Sequence, residues 1–433
     1  MKILGNTDAV KRLCLYNLFN ALAIAPACNL TFTDKLMLHM NLALENFGYI
    51  KGIMFLVPPL LYALLVPLLN RIHADIKICI NCYIVRASLP ALLPVLALFT
   101  DNKSILTAAC IFVLTTAMTC AVFANNSLMA IYRLSLRQED FNRNIGLITL
   151  YVQLPSSVMA LPLAWYLDLF EGAPPYHFYL AFAMMHVVCV LFEIPAVWNM
   201  LKLHLKYPAE PDRKPRNLFW TPYKDMKYLP ILILTILNGI ICGLSNAYLV
   251  LYLLEGLHLS VTVITIVTFT AGILLNTTLP FCGNFMDKIG YPRFFLLLSI
   301  GILCGYSIFC IFWGNLWIQL SLALLASGGS TSLLGGWLTW ALSAAGSKLL
   351  RPDLSESYIS AYSISYNGGL FLGCSLAGVL ITVIKNLMEN GDQSAMFHYY
   401  FLCMLLFAFL VFCGTVIYRY YPAKIPSTVK EGL

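Results

Sequence analysis

Gly283-Asn284-Phe285-Met286-Asp287-Lys288-Ile289-Gly290-Tyr291-Pro292-Arg293 decides how this chain is read. The stretch has the form G-x-x-x-D-K-x-G-x-x-R and lies between two long apolar runs. A worn copy stands 217 residues upstream, where Val66, Asn70, Arg71 and His73 take the places of Gly283, Asp287, Lys288 and Gly290. That offset is about half of the 433 residues. A small-residue and charge signature repeated between hydrophobic spans at a half-chain offset indicates duplicated membrane halves.

Composition agrees with a chain that lies mostly in lipid. Hydrophobic residues make up 60% and charged residues 11%, with a mean hydropathy of +0.79. Soluble domains carry roughly 25% charged residues. A membrane helix needs about 20 mostly apolar residues. Twelve such runs occur, near 12–32, 46–69, 78–100, 104–131, 144–168, 177–200, 228–254, 261–282, 293–313, 315–341, 358–384 and 395–418. Barrel strands would alternate over about ten residues, whereas these runs are continuous and longer. The expected fold is therefore all-α: twelve transmembrane helices in two pseudo-symmetric six-helix bundles, 1–200 and 228–420. A cytoplasmic linker, 201–227, and a tail, 421–433, complete the chain.

The basic residues give the orientation. With the N-terminus inside, most of the 27 Lys and Arg fall on inner loops, including Arg133, Arg137, Arg143 and the cluster from Lys202 to Lys227. The positive-inside rule then sets both termini in the cytoplasm, in a plasma or inner membrane. The net charge of +7 reflects this topology, and no nucleic-acid partner is expected, because such binding needs a basic face on a folded domain. Lys11-Arg12 followed by an apolar run imitates a signal peptide, but Pro26 just after the would-be cut disfavours processing. The linker carries Pro208, Pro211, Pro215 and Pro222, which oppose helix and core alike. Its basic residues suit the anionic inner leaflet. The fourteen cysteines form no framework, and Cys79-Ile80-Asn81-Cys82 lacks the second pair a zinc site needs. Glu139 and Glu356, in two further loops, repeat the 217-residue offset.

The Gly283–Arg293 loop resembles the loop between the eighth and ninth helices of the major facilitator superfamily, and the Asn70-Arg71 stretch resembles its counterpart between the second and third. The upstream copy departs from the family pattern at Val66, Asn70 and His73. The resemblance implies a gating role for Asn70, Arg71, Gly283, Asp287, Gly290 and Arg293, which would brace one helix against its neighbours. It also implies a central cavity lined by helices one, four, seven and ten with help from five and eleven. Those helices carry Asn20, Thr116, Thr119, Gln153, Asn238, Asn246, Ser330, Tyr366 and Asn367. Amides and hydroxyls in lipid must find partners, so they turn to the protein interior or to water. Bonding between helices accounts for any one of them. As a set of neutral donors and acceptors they suit a small neutral polar solute such as a sugar or nucleoside. Trp337 and Trp340 fit either an interfacial belt or packing.

Arg86 and Glu193 are the conspicuous charges inside spans. Each lies nine residues from a boundary lysine, Lys77 or Lys202, so about 13 Å deep from one face. They are expected to pair, either as a structural brace or as a proton relay. No phosphate-binding G-x-x-x-x-G-K-[ST] loop and no H-E-x-x-H occurs, so neither nucleotide drive nor a metalloprotease site is expected. No metal, cofactor or catalytic residue is expected. The reading implied by the resemblance is a secondary or facilitative transporter, a monomer, with a small-molecule substrate, the lipid bilayer as its surroundings, and proton or sodium coupling left open. Drug or metabolite efflux is the second reading, and a membrane-embedded transferase the third.

Overall fold

The structure, a computed structural model, describes residues 8–69, 76–136, 141–203, 220–326, 332–349, 355–388 and 393–420. The sequence expectations for Asn70, Arg71 and Ser330 fall outside these residues. Among the described residues each of the twelve apolar runs falls mainly on helix. The first gives α1 (Asp8–Cys28) and, after a break, α2 (Leu30–His39). Next come α3 (Leu44–Leu69), α4 (Ile76–Ser88) and α5 (Leu92–Ala97), then α6 (Lys103–Ser135) and α7 (Phe141–Asp168). The sixth run is split into α8 (Pro175–Val190) and α9 (Glu193–Leu201). After the four-residue α10 (Thr221–Lys224) follow α11 (Leu229–Leu251), α12 (Val261–Ile289) and α13 (Tyr291–Ile311). The tenth run gives α14 (Leu316–Ala326) and α15 (Leu333–Lys348), and the last two give α16 (Ser355–Leu387) and α17 (Gln393–Tyr420). Among the described residues nine helical stretches are long and apolar enough to cross a bilayer.

Local chemistry sets the ends. Asn29 and Asn102 cap α2 and α6 by accepting from Thr31 N (2.9 Å) and Ser104 N (3.0 Å), as short polar side chains do at helix starts. Between α12 and α13, Gly290 has φ 84°. Only glycine takes that conformation without strain, and Pro292 in the first turn of α13 presets the next helix. In the sixth run Pro195 stands where a continuous helix would need an N–H for the Leu191 carbonyl, and that loss accounts for the break between α8 and α9.

The chain forms two compact units. One comprises Met1–Leu42, Val57–Arg216 and Ser260–Thr265; the other comprises Ala43–Leu56, Asn217–Leu259 and Ile266–Leu433. In the first, α1, α4, α6 and α9 share a core that includes Leu13, Tyr16, Cys79, Ile131 and Met200. Asp168, the last residue of α7, accepts from Val261 N and Thr262 N, both at 2.9 Å. That carboxylate satisfies two free amides and the positive end of α12.

In the second unit α11 and α16 cross with their backbones in contact. A Cβ on Gly239 would lie 2.5 Å from the Tyr366 carbonyl oxygen and 2.9 Å from the Gly369 Cα. One on Gly243 would lie 3.0 Å from the Gly373 Cα. Two glycines four residues apart on each helix thus form a flat seam, the arrangement that drives helix association where lipid removes the hydrophobic advantage. The first turns of α3 join this unit. Lys51, 1% exposed, donates from Nζ to the carbonyls of Asn246 (2.8 Å) and Ala247 (3.1 Å), and Tyr248 donates to the Leu44 carbonyl at 2.8 Å. At the opposite end of α11, Tyr358 donates to Asp225 Oδ2 at 2.6 Å and Tyr228 donates to the Tyr358 carbonyl at 3.2 Å, which fixes the exit from the linker onto α16.

Phe99, Phe112, Trp165 and Trp317 stand exposed on the outside. In water such a surface would be a liability; in a bilayer it is the expected face. The glycine seam makes a direct prediction. Gly373→Ala should cost about 1–3 kcal/mol, the usual cost of overpacking, and lower the unfolding temperature in detergent. Gly272→Ala, whose Cβ would meet nothing within 4 Å, should leave it unchanged or slightly higher. Equal melting of the two variants would remove the seam as a stabilising contact.

Candidate functional site

The glycine seam sets a row of polar groups beside it. Asn238 precedes Gly239 and Cys242 precedes Gly243 on α11, and Tyr366 lies three residues before Gly369 on α16. Asn238 is fully buried, and its Nδ2 donates to Thr339 Oγ1 on α15 at 2.9 Å. Thr339 Oγ1 donates onward to the Gly335 carbonyl at 2.9 Å. Tyr362 donates to the Thr339 carbonyl at 3.1 Å, and the Cys242 thiol faces Asn238 Oδ1 at 3.9 Å. The Tyr366 hydroxyl lies next to Thr339 and Cys242 but outside hydrogen-bond geometry with either, and it is buried without a partner among the described residues. A buried hydroxyl left unmade is costly, so this group has bonding capacity in reserve.

No charged side chain belongs to this cluster. α11 and the stretch of α15 through Thr339 contain no Asp, Glu, Lys or Arg, and in α16 the only ones are Glu356 and Lys385 near its ends. The arrangement offers neutral donors and acceptors against an apolar wall. Among the described residues no group of three His, Cys, Asp or Glu side chains comes together as a metal site.

The other expected site residues fare differently. Asn246 sits two turns beyond Asn238 on α11, and its backbone carbonyl receives Lys51. Asn367 turns back on its own helix and donates to the Ser363 carbonyl at 2.8 Å. In the first unit Asn20 is 1% exposed with Oδ1 buried and unpartnered among the described residues. Thr119 donates to the Thr115 carbonyl at 2.8 Å on its own helix, and Thr116 is half-buried on α6. Gln153 lies on α7, with its side chain outside the described set. Sequence reading passed over Thr339, Tyr362 and Cys242. The signal that points to them is the spacing Gly239-x-x-x-Gly243 and Gly369-x-x-x-Gly373, since residues flanking a close helix crossing must face a third helix.

The loop at Gly283–Arg293 is a helix end. Gly283, in the last turns of α12, offers its bare face to the Trp340 ring of α15, where a Cβ would stand 3.4 Å from the ring. Trp337 on the same helix donates to Thr278 Oγ1 at 3.2 Å. Both tryptophans therefore pack α15 on α12. Asp287 is exposed in the last turn of α12, and Arg293 is exposed in the first turn of α13. In the first unit Glu193, 4% exposed, opens α9, and Arg86 lies in the last turn of α4.

No protein-family model and no curated protein matches the sequence. Solved structures do match its shape. The nucleoside transporter NupG, as a D323A mutant, superposes with a TM-score of 0.70 at 12% identity, covering 94% of this chain and 99% of that one. A bacterial homologue of the human lysosomal transporter Spinster gives 0.69 at 12% identity, covering 96% and 98%. A bacterial homologue of the iron transporter ferroportin gives 0.68 at 12% identity, covering 96% and 99%. The likeness runs over almost the full length of both partners in each case, so the chain has the helical fold that these transporter structures share.

The Asn238–Thr339 bond can be tested by a double-mutant cycle. Asn238→Ala and Thr339→Val should each lower thermal stability in detergent. Their coupling should be about 0.5–1.5 kcal/mol, the net worth of one hydrogen bond. Additive losses would mean that the two side chains do not meet.

Proposed function

We propose that this chain is a secondary or facilitative transporter that moves a small neutral polar solute, such as a sugar or nucleoside, by alternating access. One observation carries the solute class. The cluster of buried Asn238 and half-buried Thr339, Tyr362 and Tyr366 is uncharged, and it keeps one buried hydroxyl without a partner among the described residues. Amides and hydroxyls both donate and accept, which suits a solute rich in hydroxyls. A site built for such bonds rejects analogues that leave its polar atoms unpaired. The fold supports the transport reading. Among proteins with that fold, the nucleoside transporter is one whose named cargo is of the proposed class.

In this reading the repeat units are 1–200 and 228–420, joined by the linker 201–227. The basic side of the loops faces the cytoplasm with both termini, in a plasma or inner membrane. The protein acts as a monomer. The Gly283–Arg293 helix end is the gating element: Asp287 and Arg293 sit where α12 turns into α13, and a brace at that turn shifts the balance between transport states without touching solute.

Purified protein in sealed proteoliposomes, offered pooled sugars, nucleosides and amino acids, should accumulate or exchange one neutral polar class. Asn238→Ala should raise the apparent transport constant about tenfold, the loss of one good hydrogen bond, with normal amounts of protein in the membrane. Flux restricted to apolar dyes would favour the efflux reading. Asp287→Asn should slow maximal flux while changing the transport constant little. Unchanged flux in that variant would remove the gating role.

A further inference from the structure

The chain enters α11 through a turn that is pinned on one side and bare on the other. Asp225 is the pin. Its Oδ2 accepts from the Tyr358 hydroxyl at 2.6 Å, and its Oδ1 accepts from Lys227 N at 3.0 Å. Its carbonyl receives Tyr228 N at 2.9 Å and Leu229 N at 2.8 Å. Pro222 is buried, and the Tyr223 hydroxyl donates to the Ala361 carbonyl at 3.4 Å. The other side chains of the turn stand outward. Trp220 is 66% exposed and Met226 77%, and Lys224 and Lys227 are exposed beside them. The acid of the turn is thus engaged with Tyr358 and the backbone, while two cations and two large apolar groups share its outside. A similar pairing stands where α9 runs into the linker, in the first unit. Trp198 is 62% exposed there, and the exposed Lys202 holds its Nζ 4.1 Å from the indole centroid.

We propose that the turn Trp220–Lys227 docks anionic phospholipid headgroups, and that Lys202 on Trp198 makes the same contact at the end of the first unit. Large apolar groups bared to this degree are a liability in water. Tryptophan settles at the headgroup level of a bilayer, and Met226 gives the turn a second apolar foothold. A lysine held at that level meets lipid phosphates. A zwitterionic headgroup already carries a cation for its phosphate, whereas an anionic headgroup leaves that charge to the protein. Each basic residue near an anionic surface is worth roughly fivefold in affinity. Asp225 would oppose the contact, but its two oxygens are turned to Tyr358 and to Lys227 N. An aromatic belt with snorkelling lysines would hold the same side chains at the same depth without regard to headgroup charge. Selectivity for the headgroup separates the two. The contact involves no solute and stands apart from the transport reading, which supplies only the leaflet, the cytoplasmic one.

Native mass spectrometry of the full-length protein tests the contact, with the protein released from micelles that hold equal phosphatidylglycerol and phosphatidylcholine. The wild type should retain phosphatidylglycerol in preference, and the preference should shrink as the salt in the micelle solution is raised. Lys202→Gln, Lys224→Gln and Lys227→Gln combined should lower the preference about fivefold or more. The corresponding triple change to Arg keeps the charge and should keep the preference, which guards against a Gln variant that fails to fold. Equal retention of the two lipids by the wild type overturns the proposal. So does an undiminished preference in the Gln variant, or an Arg variant that loses the preference as fully as the Gln variant does. Displacement of the lipid by millimolar glycerol phosphate would reassign the lysines to a free anion and overturn the docking surface.

Discussion

The contact of α11 with α16 governs the second unit. Lipid tails solvate leucine as well as other side chains do, so apolar burial gives little reason for two membrane helices to associate. What remains is close van der Waals approach and hydrogen bonding. Four glycines leave no Cβ of their own at the crossing and let carbonyl oxygens of one helix rest close to the Cα atoms of the other. The residues next to those glycines then have no freedom of direction. Asn238 and Cys242 are turned toward α15, and Tyr366 is held over the same spot. The polar cluster is a geometric consequence of the seam.

A second constraint runs through both units: a polar group inside a bilayer must be paid for by a partner. Most groups find one on their own helix, as Thr119, Thr235 and Asn367 do by donating to a carbonyl one turn back. Those side chains are spent and add nothing to a site. Others reach across. Lys51 extends to two carbonyls of α11, and Asp168 closes the open end of α12. The informative cases are the atoms that reach nothing. Fourteen buried side-chain atoms have no hydrogen-bond partner among the described residues, and Tyr366 OH, Asn20 Oδ1 and Glu193 Oε1 are among them. In a medium that penalises such groups, each invites a ligand, a water molecule or a proton.

The two charged features separate accordingly. Asp287 and Arg293 are exposed at a turn whose geometry Gly290 fixes, where a charge costs little and can change partners. Arg86 and Glu193 lie within spans, beside a helix that Pro195 interrupts. Their positions agree with the local dipoles: Arg86 sits in the last turn of α4 and Glu193 in the first turn of α9, where a cation and an anion are respectively favoured.

The sequence by itself determined the class of structure. Twelve long apolar runs and sparse charge require a helical membrane protein, because only helices satisfy every backbone group within a single span. It also pointed to Asn238 and Tyr366, since an amide and a phenol in lipid cannot be idle. It could not say which polar residues were spent locally: Asn367 stands beside Tyr366 in sequence but turns back to Ser363, about a hundred degrees around the helix. Nor could it join Thr339 and Cys242 to Asn238, because their meeting depends on how closely α11 approaches α16 and which face α15 then covers. Hydropathy records whether a residue belongs in lipid. Only packing in three dimensions decides which neighbour it touches, and the cluster exists solely through those contacts.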